Sequence, residues 1–396
     1  MKHQTQIAEF NNAWKGRGNL SNLVAELERQ KASRFDFVAD TRHFDVRAED
    51  GKVMLHPKSA QAGEWLTAPA LFNDAALDQL AEKCEPSVPK KFFDKLNTKK
   101  HGERLSALIN GLHDDTPVKR LVRCLDGKVR AWLSDSYRVI DNFDMAFTCL
   151  DQAKRQNAEV IEASLSDTSM RIKFTTRQVY DVVDTVQRSG PQGGWFAGAI
   201  GNKELLGKTV LGARVTNELP GGPGTVHPIV TVSNSETGHG GFHVRIGILM
   251  GICYNVATLE DVVSQVHLGS RLEEGIFTAE TRSVDSKAIM LKARDAVMAA
   301  FDQQKFRLMV AKAKTAQKDE IAKPTAAVDC VVEFAQLNDE NKEALLEYFL
   351  RDYQPTRFGL AQAVGRLAQD TEDGDVAFDL EKLAGHIINT PTFINA

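Results

Sequence analysis

The sequence predicts an α+β fold, on three observations. Two Asp-Gly pairs, Asp50-Gly51 and Asp126-Gly127, each separate stretches of alternating or apolar residues. This is the strongest short-range signal for a hairpin. Residues 190–251 hold most of the glycines, with short apolar pieces such as HPIVTVSNS and GFHVRIGILM between them, which reads as strand and turn. From Ile276 to Lys323 there is neither Gly nor Pro, so a long helix is expected there. The three portions expected are an N-terminal α/β part (1–114), a strand-rich core (115–275) and a helical C-terminal part (276–396).

Residues 20–32, LSNLVAELERQKA with its preceding Asn19, read as a short amphipathic helix. Asn19 or Ser21 can cap it, and Leu20, Leu23, Val24 and Leu27 keep a helical period. Residues 74–96 read as helix, Pro-marked break, helix. LVRCLDGKVRAWL is the clearest hairpin, with a strand-ending turn at Ser134 to Ser136. Residues 142–156 read as a helix. EVIEASLSDTSMRIKFTT forms a second hairpin, turning at Asp167 to Ser169. From Pro324 onward, helical pieces are expected to be separated by Pro355, Gly359 and Gly385.

The chain has 396 residues, 42% of them hydrophobic and 26% charged, so a core can form. The net charge of −4 gives no overall pull toward nucleic acid; such a site must be a local patch. Five cysteines, Cys84, Cys124, Cys149, Cys253 and Cys330, form no C-x-x-C pair. This argues against a disulfide framework and a cysteine-rich zinc site. The start lacks an apolar signal core and no apolar run could span a bilayer, so a cytoplasmic protein without a membrane partner is expected.

Several segments, in order, carry a family likeness: LTAPALFNDAALDQLAEKCEPSVPKKFFDKL, VRAWLSDSYRVIDNFD, VSNSETGHGGFHVRIGILMGICYNVATLEDVVSQVHLGSR, and TRFGLAQAVGRLAQ with LEKLAGHII. Together they span roughly residues 66–390, and the chain resembles the phage/plasmid-like "domain of unknown function 932" family. The resemblance implies a home in phages, prophages or plasmids and no catalytic residues. The family-like positions are Ser134, Asp135, Tyr137, Arg138, Asn234, Ser235, Glu236, Gly238, Cys253 and Asn255. The chain departs from the family at Tyr254-Asn255-Val256, where Asn followed by Gly is expected.

Four groups of residues bear on chemistry. Gly201 to Thr209 ends in Gly-Lys-Thr but has five residues between its glycines where a P-loop has four, and a strand-like segment follows it, so no nucleotide hydrolysis is expected. His227, His239, His243 and His267 lie near Glu236, Cys253 and Asp261, in no standard ligand spacing, so no metal or other cofactor is expected. Cys253, in the apolar run ILMGICYNV, reads as a buried small hydrophobe. The fourth is the long helix. Eight basic residues between Lys287 and Lys318 face only Asp295 and Asp302. Lys287, Arg294, Lys305 and Lys312 align in a stripe of roughly 37 Å on one continuous helix. Such a stripe is either a solvated face or a phosphate contact.

The Ser134-Asp135-x-Tyr137-Arg138 segment also has two readings. It is a turn with the Tyr137 hydroxyl outward, or an aromatic and guanidinium platform for a base or phosphate. The function expected is a non-enzymatic DNA-associated accessory protein that binds or anneals single strands in replication or recombination. Lys287, Arg294, Lys305 and Lys312 would contact phosphates, with Tyr137, Arg138, Trp132 and Trp195 at the bases; a homo-oligomer is compatible with this. The alternatives are a metal-dependent enzyme acting on nucleic acid and an anti-defence or protein-interaction factor.

Overall fold

A computed structural model of the chain describes residues 15–183, 219–220, 224–250, 255–266 and 279–394. The fold is α+β and holds two sheets. The first comprises β2 (Arg34–Asp40), β3 (Phe44–Glu49), β4 (Lys52–Pro57), β5 (Ala70–Phe72), β6 (Lys119–Leu125) and β7 (Lys128–Ser134) in the order β2-β6-β7-β5-β4-β3. Both Asp-Gly pairs make its tight turns. Asp50 and Gly51 have φ of 51° and 78°, Asp126 and Gly127 53° and 71°, so both central residues are left-handed, which matches the twist of the strands they join.

One face of this sheet is covered by α2 (Ala60–Trp65), α3 (Asp74–Glu82), α4 (Lys90–Leu96) and α5 (Gly102–Asp115). Phe37, Val46, Leu55, Leu80, Phe93, Leu105 and Trp132 fill the space between. Edge strand β3 is closed off by α5, whose Asn110 and Ser106 accept from the amides of Val46 and Ala48, both at 2.8 Å. That removes an exposed edge able to pair with another chain.

The second sheet is antiparallel: β1 (Gly16–Gly18), β8 (Ala158–Leu165), β9 (Met170–Thr176), β11 (Thr225–Asn234), β12 (Phe242–Met250) and β13 (Val256–Val266), with β10 (Asp181–Val182) beside β11. Helices α1 (Leu20–Ser33) and α6 (Asn142–Arg155) pack on it, as do the C-terminal α7 (Ala279–Ala300), α8 (Gln303–Lys318), α11 (Arg357–Asp370) and α12 (Gly374–Asn389). Between α8 and α11 lie α9 (Pro324–Ala335) and α10 (Asp339–Asp352). Helix α1 starts with a reciprocal capping box in which Asn19 and Asn22 each accept the other's amide.

Three expectations are corrected. The boundary near residue 114 falls inside the first sheet, because β6 and β7 pair with β2 and β5. The C-terminal helices are not a portion with a core of their own: they share one core with the second sheet, where Val297, Phe306, Leu360 and Leu383 join Val230 and Ile246. The long helix is two helices: α7 stops at Ala300, and the Asp302 carboxylate accepts from the Lys305 amide at 2.8 Å to start α8. An aspartate able to cap a new helix ended the old one without Gly or Pro.

Gly359 and Gly385 lie within α11 and α12 rather than between helices. Each marks a close approach: a Cβ at Gly385 would run into the Thr258 carbonyl of β13, and one at Gly359 into the Gln354 carbonyl. Gly111, exposed in α5, meets nothing. Urea unfolding should therefore show Gly385→Ala destabilised by about 1–3 kcal/mol or more from overpacking, and Gly111→Ala stabilised by about 0.5–1 kcal/mol.

Candidate functional site

The open face of the first sheet receives the loop that joins β11 to β12. Strand β7 prepares for it with a bulge. Arg123 pairs with Ala131 and Cys124 with Val129, so Arg130 is the extra residue. Val129 and Trp132 point into the helix-covered core, while Ala131 lies on the opposite face with Leu121 and Leu133. A bulge re-aims a side chain in this way, and here it delivers Arg130 to the junction between the sheets.

Glu236, in the loop, is the centre of that junction. Its Oε1 accepts from Arg130 Nη1 at 2.9 Å and from Asn142 Nδ2 at 3.3 Å. Its Oε2 accepts from the Asn142 amide at 3.3 Å, the first residue of α6. The residue before, Asp141, makes no side-chain cap of its own. Glu236 thus places a carboxylate on the positive end of a 14-residue helix that belongs to a distant part of the sequence. Its main-chain carbonyl accepts from Arg123 Nη1 at 2.6 Å.

Arg123 is fully buried. It reaches Asp36 at 2.9 Å and Asp141 at 3.0 Å, and Arg34 meets the same Asp141 oxygen at 2.5 Å. Three guanidiniums thus face three carboxylates in a charge-balanced cluster. Burial opposes ionisation of Asp141, but Arg123 and Arg34 outweigh it and hold the carboxyl below the usual range. Around the cluster, Asn234 Nδ2 donates to Asn142 Oδ1 at 2.8 Å, and Gln79 Nε2 of α3 donates to the Thr237 carbonyl at 2.6 Å. Gly238 takes a left-handed φ of 83° where a side chain would strike Leu133.

Beside the cluster is a cavity of about 400 Å³. Arg130, Asn142 and Glu236 form one wall, α1 contributes Glu26 and Arg29, and Lys128 stands near the β6–β7 turn.

The residues singled out from sequence fall in different places. Trp132 is 1% exposed, its ring stacked 5.9 Å from His113 in the core, so it cannot stack on a base. Tyr137 is half-buried and its hydroxyl points inward, donating to the Ser235 carbonyl at 3.3 Å; the expectation of an outward hydroxyl is corrected. Burial raises its pKa. Arg138 is paired with Asp285 of α7 at 2.5 Å and belongs to no platform with Tyr137. Lys287 and Arg294 are exposed on α7, Lys312 is exposed on α8 and Lys305 is half-buried there. The continuous stripe is therefore two shorter ones, and Arg294 is paired with Asp295 at 2.7 Å.

Five of the ten positions on which the resemblance rests lie together. Tyr137, Asn234, Ser235, Glu236 and Gly238 all meet at the junction, while Asn255 instead donates to Tyr353 and the Gln362 carbonyl. His227 is buried, with Nε2 3.0 Å from the Pro220 carbonyl, and His239 sits beside Thr237. Among the described residues no group of three or more His, Cys, Asp or Glu could hold a metal ion. Trp195, Gly201 to Thr209, Cys253, His267 and the Asp261 side chain lie outside the described residues.

Arg123 and Arg130 are the site residues that sequence reading missed. The signal was there: each is a charge inside an otherwise apolar strand of the LVRCLDGKVRAWL hairpin. Glu236→Gln removes the shared carboxylate and should cost about 3–5 kcal/mol in urea unfolding. Asp141 has a depressed folded pKa, so its contribution is present above the unfolded value and is lost as pH falls through the folded one. Stability measured across acid pH should decline below about pH 4, and Asp141→Asn should flatten that decline.

No family model, no curated protein and no solved structure matches this chain.

Proposed function

We propose that this protein is a DNA-associated accessory factor of a phage, prophage or plasmid, of the phage/plasmid-like kind its sequence resembles, acting in the cytoplasm. It contacts the phosphate backbone through α7 and α8. The observation that carries this reading is the state of the basic residues on those helices. Lys287, Lys292, Lys305, Arg307, Lys312 and Lys318 make no ion pair among the described residues, while Arg294 and Lys314 are paired. The inward faces are set by Ile289, Ala293 and Val297 on α7, and by Phe306, Met309 and Ala313 on α8. At about 100° per residue Lys287 and Arg294 lie on a flank of α7, while exposed Val284, Leu291 and Met298 occupy the side opposite that face.

A neutralising acid on the same helices is scarce. Asp285 is taken by Arg138, Asp295 by Arg294, and Asp302 caps α8, which leaves Glu280 in the first turn of α7. With Trp132 and Tyr137 engaged inside the protein, the reading is one of phosphate contact rather than base stacking. Such binding is sequence-independent and weakens steeply with salt.

The test is a titration with labelled single-stranded and duplex DNA at several salt concentrations. Lys287→Gln with Lys292→Gln, and separately Lys305→Gln with Lys312→Gln, should lower affinity at every sequence. Each pair should flatten the log–log salt slope by about 1.4 on single strands and about 1.8 on duplex. Lys287, Lys292 and Lys312 are exposed and Lys305 is half-buried without an ion pair among the described residues, so melting temperatures should hardly move. Unchanged affinity and slope in both pairs would sink the reading.

A further inference from the structure

The two edges of the first sheet are finished differently. At β3 the amides of Val46 and Ala48 are taken up by Asn110 and Ser106 of α5. At β2 no such cover exists among the described residues. Its register on β6 runs without a shift from Arg34 to Asp40, and just beyond it the Thr41 amide donates to the Val118 carbonyl at 3.0 Å. By the alternation of an antiparallel ladder, Phe35, Phe37 and Ala39 then bond to β6, while Asp36, Val38 and Asp40 point their amides and carbonyls away from it. The Arg34 amide agrees, since it turns back to the Gln30 carbonyl of α1. On that outer side the main chain of Asp36, Val38 and Asp40 meets no partner among the described residues. Asp36 as a whole is exposed while its side chain is only 28% exposed, so its main chain faces water.

An open edge is a template for another strand, and proteins usually blunt it with charge. Here the charges of β2 are already held: Asp36 by Arg123, Asp40 by Arg42 and Arg34 by Asp141. The face that β2 turns toward the helices is aromatic at this edge. Phe35 is 38% exposed and stacks on Phe37, and half-buried Trp65 of α2 stacks on Phe37 at 6.0 Å.

The strand also matches itself. Laid antiparallel against a second copy about Phe37, β2 sets Arg34 opposite Asp40, Phe35 opposite Ala39 and Asp36 opposite Val38. The outward residues Asp36, Val38 and Asp40 then fall into hydrogen-bonded pairs. Opposite charges meet at both ends, and Phe35 and Phe37 each gain an apolar neighbour across the join. Moving the two-fold to Val38 or to Asp36 would instead set Asp36 against Asp40 or against itself.

We propose that β2 is a self-association edge, through which two copies of this chain pair antiparallel along Arg34–Asp40 and join their first sheets. The strand carries none of the lysines assigned to DNA, so the inference does not depend on that reading.

Sedimentation velocity of the full chain without DNA tests the proposal. A seven-residue strand buries less than a standard interface of about 1,600 Å², so a reversible dimer with a dissociation constant of about 1–100 µM is expected. Val38→Pro removes an amide that one chain leaves unused, and the two-fold doubles the loss, so the dissociation constant should rise about tenfold or more. A chain that stays monomeric up to about 500 µM overturns the proposal. So does a dimer that Val38→Pro leaves unchanged, such as one formed through exposed Val284, Leu291 and Met298 of α7. If that variant does not fold, Phe35→Lys decides: a charge placed at the join should weaken the dimer, and an unaffected dimer refutes the edge.

Discussion

The carboxylate of Glu236 is the constraint on which the two halves of this protein depend. It lies in a loop of the second sheet, yet its partners are Arg123 and Arg130 of the first sheet and the N-terminus of α6. Removing water from this many charges is expensive, and the cluster is tolerable because guanidiniums and carboxylates balance and most remaining donors are satisfied. In exchange the relative placement of the sheets becomes specific. An apolar contact between them could slide, whereas a guanidinium fork and a helix terminus accept a carboxylate in few geometries. The bulge at Arg130 and the left-handed Gly238 are local distortions that make this meeting possible.

A second buried cluster ties the other end of the second sheet to the C-terminal helices. Arg17 of β1 and Lys173 of β9 share Glu162, and Lys173 reaches Glu381 of α12 at 2.5 Å. Burial holds the Glu381 carboxyl above its usual pKa despite Lys173. Both clusters join elements far apart in sequence, and both sit where a sheet meets something other than its own hairpin neighbours. Polar contacts here act as registration marks within cores whose bulk is aliphatic.

The distribution of charge matters more than the total. The chain is net acidic, yet its interior pairs are close to neutral, and Asp285, Asp295 and Asp302 of the acids near α7 and α8 are spent on ion pairs and a cap. That leaves basic side chains facing water on one pair of helices.

What the sequence determined by itself was local. Asp-Gly turns, the Asn19 cap and the helix over Asn142–Arg155 depend on residues within a few positions of each other, and all are found where expected. The break at Asp302 was of the same local kind, a capping residue hidden in a run without Gly or Pro. Tertiary structure decided the rest. Gly359 and Gly385 looked like helix ends because a glycine inserted to let another backbone approach has the same letter as one that stops a helix. Trp132 and Tyr137 looked available because alternation along a strand does not say which face is covered, and a bulge shifted that alternation between Val129 and Trp132. Glu236 stands 113 residues from Arg123 and 106 from Arg130, and no periodicity links them. Their meeting depends on how two sheets pack, since a buried charge is stable only where the whole fold brings its partner.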